Sequence, residues 1–139
     1  MFILQSAADF DAAHFLQDYP GACRNLHGHH WRVQAEIAGD ALQPKGAARD
    51  MLVDFADFKR VLRDLAAEFD HKLIYEAGSL RPETVAALQS ENFALAELPF
   101  RPTAEQLARL FFHRLKEYGF APLRVMVWET PDNCAAYGE

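Results

Sequence analysis

Three histidines and a cysteine, His14, Cys23, His27 and His29, fall within sixteen residues of one another. His27 and His29 are two apart, so on a β-strand both imidazoles project from one face. Three neutral imidazoles suit zinc and leave a fourth position open for water or a substrate. Cys23 is then near enough to act on whatever binds there. The same four residues could instead close a zinc that only stiffens the fold. A chain of 139 residues is large enough to hold a core without a metal staple, which favours chemistry.

Two further constellations carry titratable groups. In Asp70-His71 the carboxylate can fix the tautomer of the imidazole and raise its basicity; at a helix end the pair could equally serve as a cap. Glu129 falls on the apolar face of an alternating stretch, and a buried acid must be paired or bound to something. A ring edge with two parallel N–H donors, as on a pterin or guanine, would satisfy it, and so would a core arginine. His30 points to the strand face opposite His27 and His29, and His113 reads as a solvated or packing residue on a helix.

These residues need elements to hold them. Phe2 to His14 alternates, with Leu4, Ala8, Phe10, Ala12 and His14 on one face, and predicts a strand that ends at the first histidine. Asp18 to Leu26 contains Pro20 and Gly21 and reads as a loop. A second strand is predicted from His27 to Gly39, its odd positions Trp31, Val33, Ala35 and Ile37 facing a core. Asp40 to Arg49 is a connector, and Met51-Leu52-Val53 a short third strand leading into Asp54, a helix N-cap. Phe55, Phe58, Val61, Leu62, Leu65 and Phe69 then recur at helical spacing up to Asp70-His71. Residues 76–100 are the least regular, with a short helix expected after Pro82.

A second long helix starts at Thr103, where Gln106 completes a capping-box pattern, and Gly119 closes it. A strand from Leu123 to Thr130, a turn at Pro131-Asp132-Asn133 and a short strand through Tyr137 finish the chain. The order β-β-β-α-α-β-β predicts an α+β fold, an antiparallel sheet with two helices on one face. No repeat or internal boundary interrupts residues 1–139, so one domain is expected.

Composition narrows the class. A net charge of −6 argues against nucleic acid and anionic membranes as general partners. No apolar run approaches the length of a membrane span, and the first residues lack the pattern of a secretion signal. Cys23 and Cys134, the two cysteines, make no disulfide framework, so a reducing cytoplasm is the expected compartment.

Taken in order, Phe10-Asp11-Ala12-Ala13-His14, Cys23-Arg24-Asn25-Leu26-His27-Gly28-His29, Met51-Leu52-Val53-Asp54-Phe55, Asp70-His71-Lys72-Leu73, Pro102-Thr103-Ala104-Glu105 and Trp128-Glu129-Thr130 resemble the 6-pyruvoyltetrahydropterin synthase family, which includes bacterial 6-carboxytetrahydropterin synthase. The resemblance implies the tunnelling fold (T-fold), an antiparallel four-stranded sheet with two helices on one side. It implies a homohexamer built as two stacked trimers, with active sites between subunits. It casts His14, His27 and His29 as zinc ligands, Cys23 as the base, and Asp70 and His71 as the partner dyad. Glu129 would anchor the pterin edge, with Thr103 and Glu105 as further candidates near that ring; Glu105 also suits the first turn of a helix for its charge alone.

The implied substrate is 7,8-dihydroneopterin triphosphate. The expected product is 6-carboxytetrahydropterin, formed with loss of triphosphate and acetaldehyde on the route to queuosine. The alternatives are 6-pyruvoyltetrahydropterin synthase, which keeps the side chain, and a non-catalytic zinc-containing pterin-binding module. Arg24 and Lys72 are the nearest expected phosphate partners. The stretch between His71 and Pro102 is longer than in compact members, and an asparagine common after the dyad is replaced by Leu73-Ile74.

Overall fold

The computed structural model describes residues 1–139. Two thirteen-residue strands, β1 (Phe2–His14) and β2 (His27–Gly39), form a long antiparallel pair. Their alternation decides which side is covered. Ala8, Phe10, Ala12 and His14 of β1 and Trp31, Val33, Ala35 and Ile37 of β2 are buried. The opposite face is charged and self-complementary: Asp9 lies across from Arg32, Asp11 from His30 and, against a later strand, Glu36 from Arg124. Such cross-strand pairs keep that face solvated and help hold the register.

The apolar face is closed by two helices. In α1 (Phe55–Ala67), Phe58, Val61, Leu62, Leu65 and Ala66 are buried, and the Asp54 side chain accepts the Ala56 N–H at 2.7 Å to cap the first turn. The later helix, α3 (Ala104–Glu117), buries Leu107, Ala108, Phe111, Phe112 and Leu115. Its N-cap hydroxyl, Thr103 Oγ1, accepts the Gln106 N–H at 3.3 Å; the reciprocal half of the predicted capping box is not formed, because the Thr103 N–H donates to the Arg101 carbonyl at 2.8 Å. Gly119 has φ +87° where that helix ends, a conformation glycine adopts without a Cβ penalty. Strands β5 (Pro122–Trp128) and β6 (Cys134–Tyr137) follow, and together with the two helices and β1–β2 they enclose a core of 22 buried residues. No helix is long and apolar enough to cross a membrane.

Three expectations are corrected. The sheet has six strands, not four, because β3 (Lys72–Glu76) and β4 (Leu95–Leu98) join it, giving the order β4-β3-β1-β2-β5-β6. The expected antiparallel four, β1-β2-β5-β6, are present within it, while β3 is parallel to β1 and to β4. Met51-Leu52-Val53 is not a strand. Its connector closes on itself instead: Gln43 N–H donates to the Met51 carbonyl at 3.0 Å and Asp50 N–H to the Gln43 carbonyl at 2.9 Å. Residues 76–100 are regular, with the expected helix realised as α2 (Pro82–Ser90) between β3 and β4.

Candidate metal centre and active site

Register builds the centre. His14, the last residue of β1, stands directly opposite His27, the first of β2, and His29 stands opposite Ala12, whose small side chain leaves room for the ring. All three imidazoles therefore meet at one end of the strand pair, with ring centroids 4.6 to 5.2 Å apart. Behind them Trp31, fully buried, presses edge-on against His14 at 4.9 Å and His29 at 5.4 Å. Its indole N–H donates to the Ala12 carbonyl at 3.2 Å, and Phe10 stacks on its far side at 6.0 Å.

Backbone carbonyls set two of the tautomers. His14 Nδ1 donates to the Pro102 carbonyl at 2.8 Å, and His27 Nδ1 to the Asn25 carbonyl at 2.7 Å. With the proton on Nδ1, each ring turns the lone pair of Nε2 toward the cluster. The Nε2 atoms of His14, His27 and His29 are buried without a hydrogen-bond partner. Burial, above all, holds His14 and His29 below their ordinary value of 6.5, with the charge of neighbouring His27 acting in the same direction and Glu129 opposing both. Three buried Nε2 atoms without a hydrogen-bond partner, two of them with the lone pair set by tautomer, belong to a group that could hold a metal ion, and such a donor set suits zinc.

Glu129 completes the set. It lies just past the end of β5, where its N–H donates to the Asn133 carbonyl at 3.0 Å across the turn to β6. Its Oε1 is 3.2 Å from Nε2 of both His14 and His29. For His14, a neutral Nε2 and a carboxylate oxygen are two acceptors face to face, an arrangement that calls for a proton or a metal between them. The four donor atoms lie within 4.8 Å of one another. The group that could hold a metal thus includes Glu129 and not Cys23.

Cys23 sits in a short 3-10 turn, Ala22–Arg24, tied to the end of β1 by the Leu16 N–H donating to the Cys23 carbonyl at 2.9 Å. It is a free, half-buried thiol. It lines a cavity of about 410 Å³ together with His14, Glu129, Thr103, Glu105 and Arg101. The thiol, two metal-site residues and both weaker pterin candidates therefore share one space. Thr103 also spends its hydroxyl on capping α3.

Asp70 and His71 stand elsewhere. The Asp70 carboxylate accepts the Asp11 N–H at 2.9 Å, and His71 Nδ1 lies 3.0 Å from its other oxygen. Those contacts, the Asp11 N–H first, hold the Asp70 carboxyl below its ordinary value of 3.8. His71 has φ +57° and donates its N–H to the Asp11 carbonyl at 2.7 Å. Its ring is 79% exposed and lines a separate cavity of about 650 Å³ with Leu26, His29, Leu73 and Phe93. Within one chain the dyad and Cys23 do not share a cavity. His30 is on the charged face, as expected, with Nδ1 2.8 Å from Asp11.

Three contributors carried no sequence signal of their own: the carbonyls of Pro102 and Asn25, which any residue would supply, and Arg101. Trp31 was placed on the correct face by alternation, but its contact with two imidazoles depends on rotamers that spacing does not encode.

Known proteins share the sequence and fold of this chain. A family profile described as 6-pyruvoyl tetrahydropterin synthase matches residues 3–139. The chain is 38% identical over 142 residues to the 6-carboxy-5,6,7,8-tetrahydropterin synthase of Haemophilus influenzae, covering the whole of both. It is 31% identical over 139 residues to the enzyme of that name from a Synechocystis species, covering 99% of this chain and 93% of the other. Among solved structures, an uncharacterized protein of Wolinella succinogenes superposes with a TM-score of 0.71 at 20% identity, covering 100% and 99% of the two chains. The 6-pyruvoyl tetrahydropterin synthase of Plasmodium vivax does so at 0.68 and 16%, with the same coverage. At these identities the structures establish the shared fold.

Proposed function

This chain belongs to the 6-pyruvoyl tetrahydropterin synthase family, and from that premise we propose that it is a zinc-dependent 6-carboxy-5,6,7,8-tetrahydropterin synthase acting on 7,8-dihydroneopterin triphosphate. The observation that carries the reading is the cavity that a free thiol lines together with two members of a largely covered His-His-His-Glu cluster. The names of the full-length relatives favour the 6-carboxy product over the 6-pyruvoyl one.

His14, His27 and His29 would hold zinc, whose charge acidifies a hydroxyl group beside it. Cys23 takes a proton from the substrate side chain next to that hydroxyl. A thiolate is the competent form of this base, and a cationic neighbourhood favours it. Glu105, in the first turn of α3 and facing the same cavity, is the carboxylate left free for the N–H edge of the pterin. Thr103 stands at the same wall. Glu129 serves the metal end first, by its distances to His14 and His29, and reaches the ring only from that position.

His71, its tautomer fixed by Asp70, offers its outer nitrogen for proton transfer. We assign its partner thiol to a neighbouring copy of the chain, because the dyad and Cys23 open into different cavities. That arrangement fits a homohexamer of two trimers. A 6-carboxypterin is in turn a starting point for deazapurine synthesis, the queuosine route.

The test is incubation of zinc-loaded protein with 7,8-dihydroneopterin triphosphate. Loss of triphosphate, a 6-carboxytetrahydropterin mass and released acetaldehyde are expected. A 6-pyruvoyl mass without acetaldehyde would move the chain to the sister activity, and binding without triphosphate release would leave a pterin-binding module. Cys23→Ala is expected to keep its zinc and lose turnover by about 10² to 10⁴-fold, the usual worth of a positioned base.

A further inference from the structure

We propose that Arg101 grips the phosphate chain of the substrate, an inference that rests on the pterin-triphosphate reading above. Among the residues lining the thiol cavity, Arg101 is the one lysine or arginine. Two carboxylates, Glu105 and Glu129, face the same space, and the chain as a whole carries −6. Away from the proposed zinc end, a polyanion entering such a cavity needs a further cation in its wall to offset these carboxylates.

Arg101 is fixed there. Its Nη2 donates to the Gln17 carbonyl at 2.6 Å, a bond between residues 84 positions apart. That bond uses one of the five N–H donors of a guanidinium. The planar fork is thereby held in place with donors to spare, and its geometry matches two phosphate oxygens at once. The neighbouring residue extends the logic. Pro102 gives its carbonyl to His14 Nδ1, so the cation is anchored one residue from a group that orients a metal ligand. Of the phosphate partners expected from sequence, Arg24 does not line this cavity, and Lys72 lines the one that holds His71, which the proposed assembly would bring in from a neighbouring chain.

The contact is one of binding. It holds the substrate and meets the triphosphate again as that group leaves, so its loss raises KM and lowers kcat to the extent that charge builds on the leaving oxygen.

The experiment uses zinc-loaded protein and the variants Arg101→Gln and Arg101→Lys. Three quantities are compared: KM for 7,8-dihydroneopterin triphosphate, inhibition by inorganic tripolyphosphate, and affinity for 7,8-dihydroneopterin, which has no phosphates. Arg101→Gln should raise KM about tenfold to a hundredfold, the worth of a charge-assisted hydrogen bond. It should abolish tripolyphosphate inhibition while leaving zinc content and dihydroneopterin affinity unchanged, and Arg101→Lys should restore part of the loss. An unchanged KM with tripolyphosphate inhibition intact would overturn the assignment. So would equal weakening of dihydroneopterin, which would make Arg101 a strut for the Gln17 loop. Absence of turnover by the wild type would strike the parent reading alone. Calorimetric titration of tripolyphosphate into wild type and Arg101→Gln then still decides the role of Arg101, since equal binding by the two overturns it.

Discussion

The Oε1 atom of Glu129 stands 3.2 Å from the Nε2 atoms of His14 and His29, and an anion so placed raises the affinity of the imidazoles for a dication. Sequence alternation predicted a buried Glu129 within the last long strand; the residue is instead half-buried, 29% exposed, and lies just past the end of β5 beside the histidines. Glu129→Gln keeps the size and removes the charge. It is expected to lower zinc affinity by about 10 to 100-fold, the range for groups that support a ligand set, measured by competition against a chromogenic chelator. Unaltered affinity would place the work of this carboxylate at the pterin ring alone. The three ligand candidates themselves were legible, because a spacing of two on a strand has one geometric meaning. The carbonyls that orient His14 and His27 were not, since a carbonyl leaves no mark in a sequence.

Asp70 and His71 show how an element junction is made from residues suited to chemistry. Parallel pairing of β1 with β3 begins at Ala12 and Lys72. One position earlier, the Asp70 carboxylate takes the Asp11 N–H and the His71 N–H takes the Asp11 carbonyl. The dipeptide thus satisfies backbone groups of β1 just before the neighbouring strand arrives. A carboxyl held below its ordinary 3.8 contributes stability that is fully present above that pH and is lost as pH falls through the depressed value. Asp70→Asn should therefore lower the melting temperature at neutral pH and flatten its decline in acid. Parallel melting curves for wild type and variant would show that the bond adds nothing. The long alternating strands and the two amphipathic helices could be read in advance because each covers one face. β3 and β4 could not. They span five and four residues, too few for a period, and Leu73-Ile74-Tyr75 is the unbroken apolar run typical of parallel pairing. Met51-Leu52-Val53 is such a run too, but loop bonds claim its backbone.

The whole molecule places its thiol and its dyad in separate cavities, so assembly should be readable in activity. Mixed assemblies of Cys23→Ala and His71→Ala, prepared by co-expression, are expected to recover turnover that neither variant shows alone, because in the proposed arrangement some sites then draw an intact thiol from one chain and an intact dyad from the next. No recovery would confine each site to a single chain. The length of the β1–β2 ladder has its own outcome. Across thirteen paired residues, His14 meets His27 only in one alignment. Sliding either strand by a single residue would swing its histidines to the charged side and scatter the chelating triad. With zinc bound as proposed, metal uptake would report on strand annealing: molecules that mispaired during refolding would stay as apoprotein, and zinc stoichiometry would count those that paired correctly.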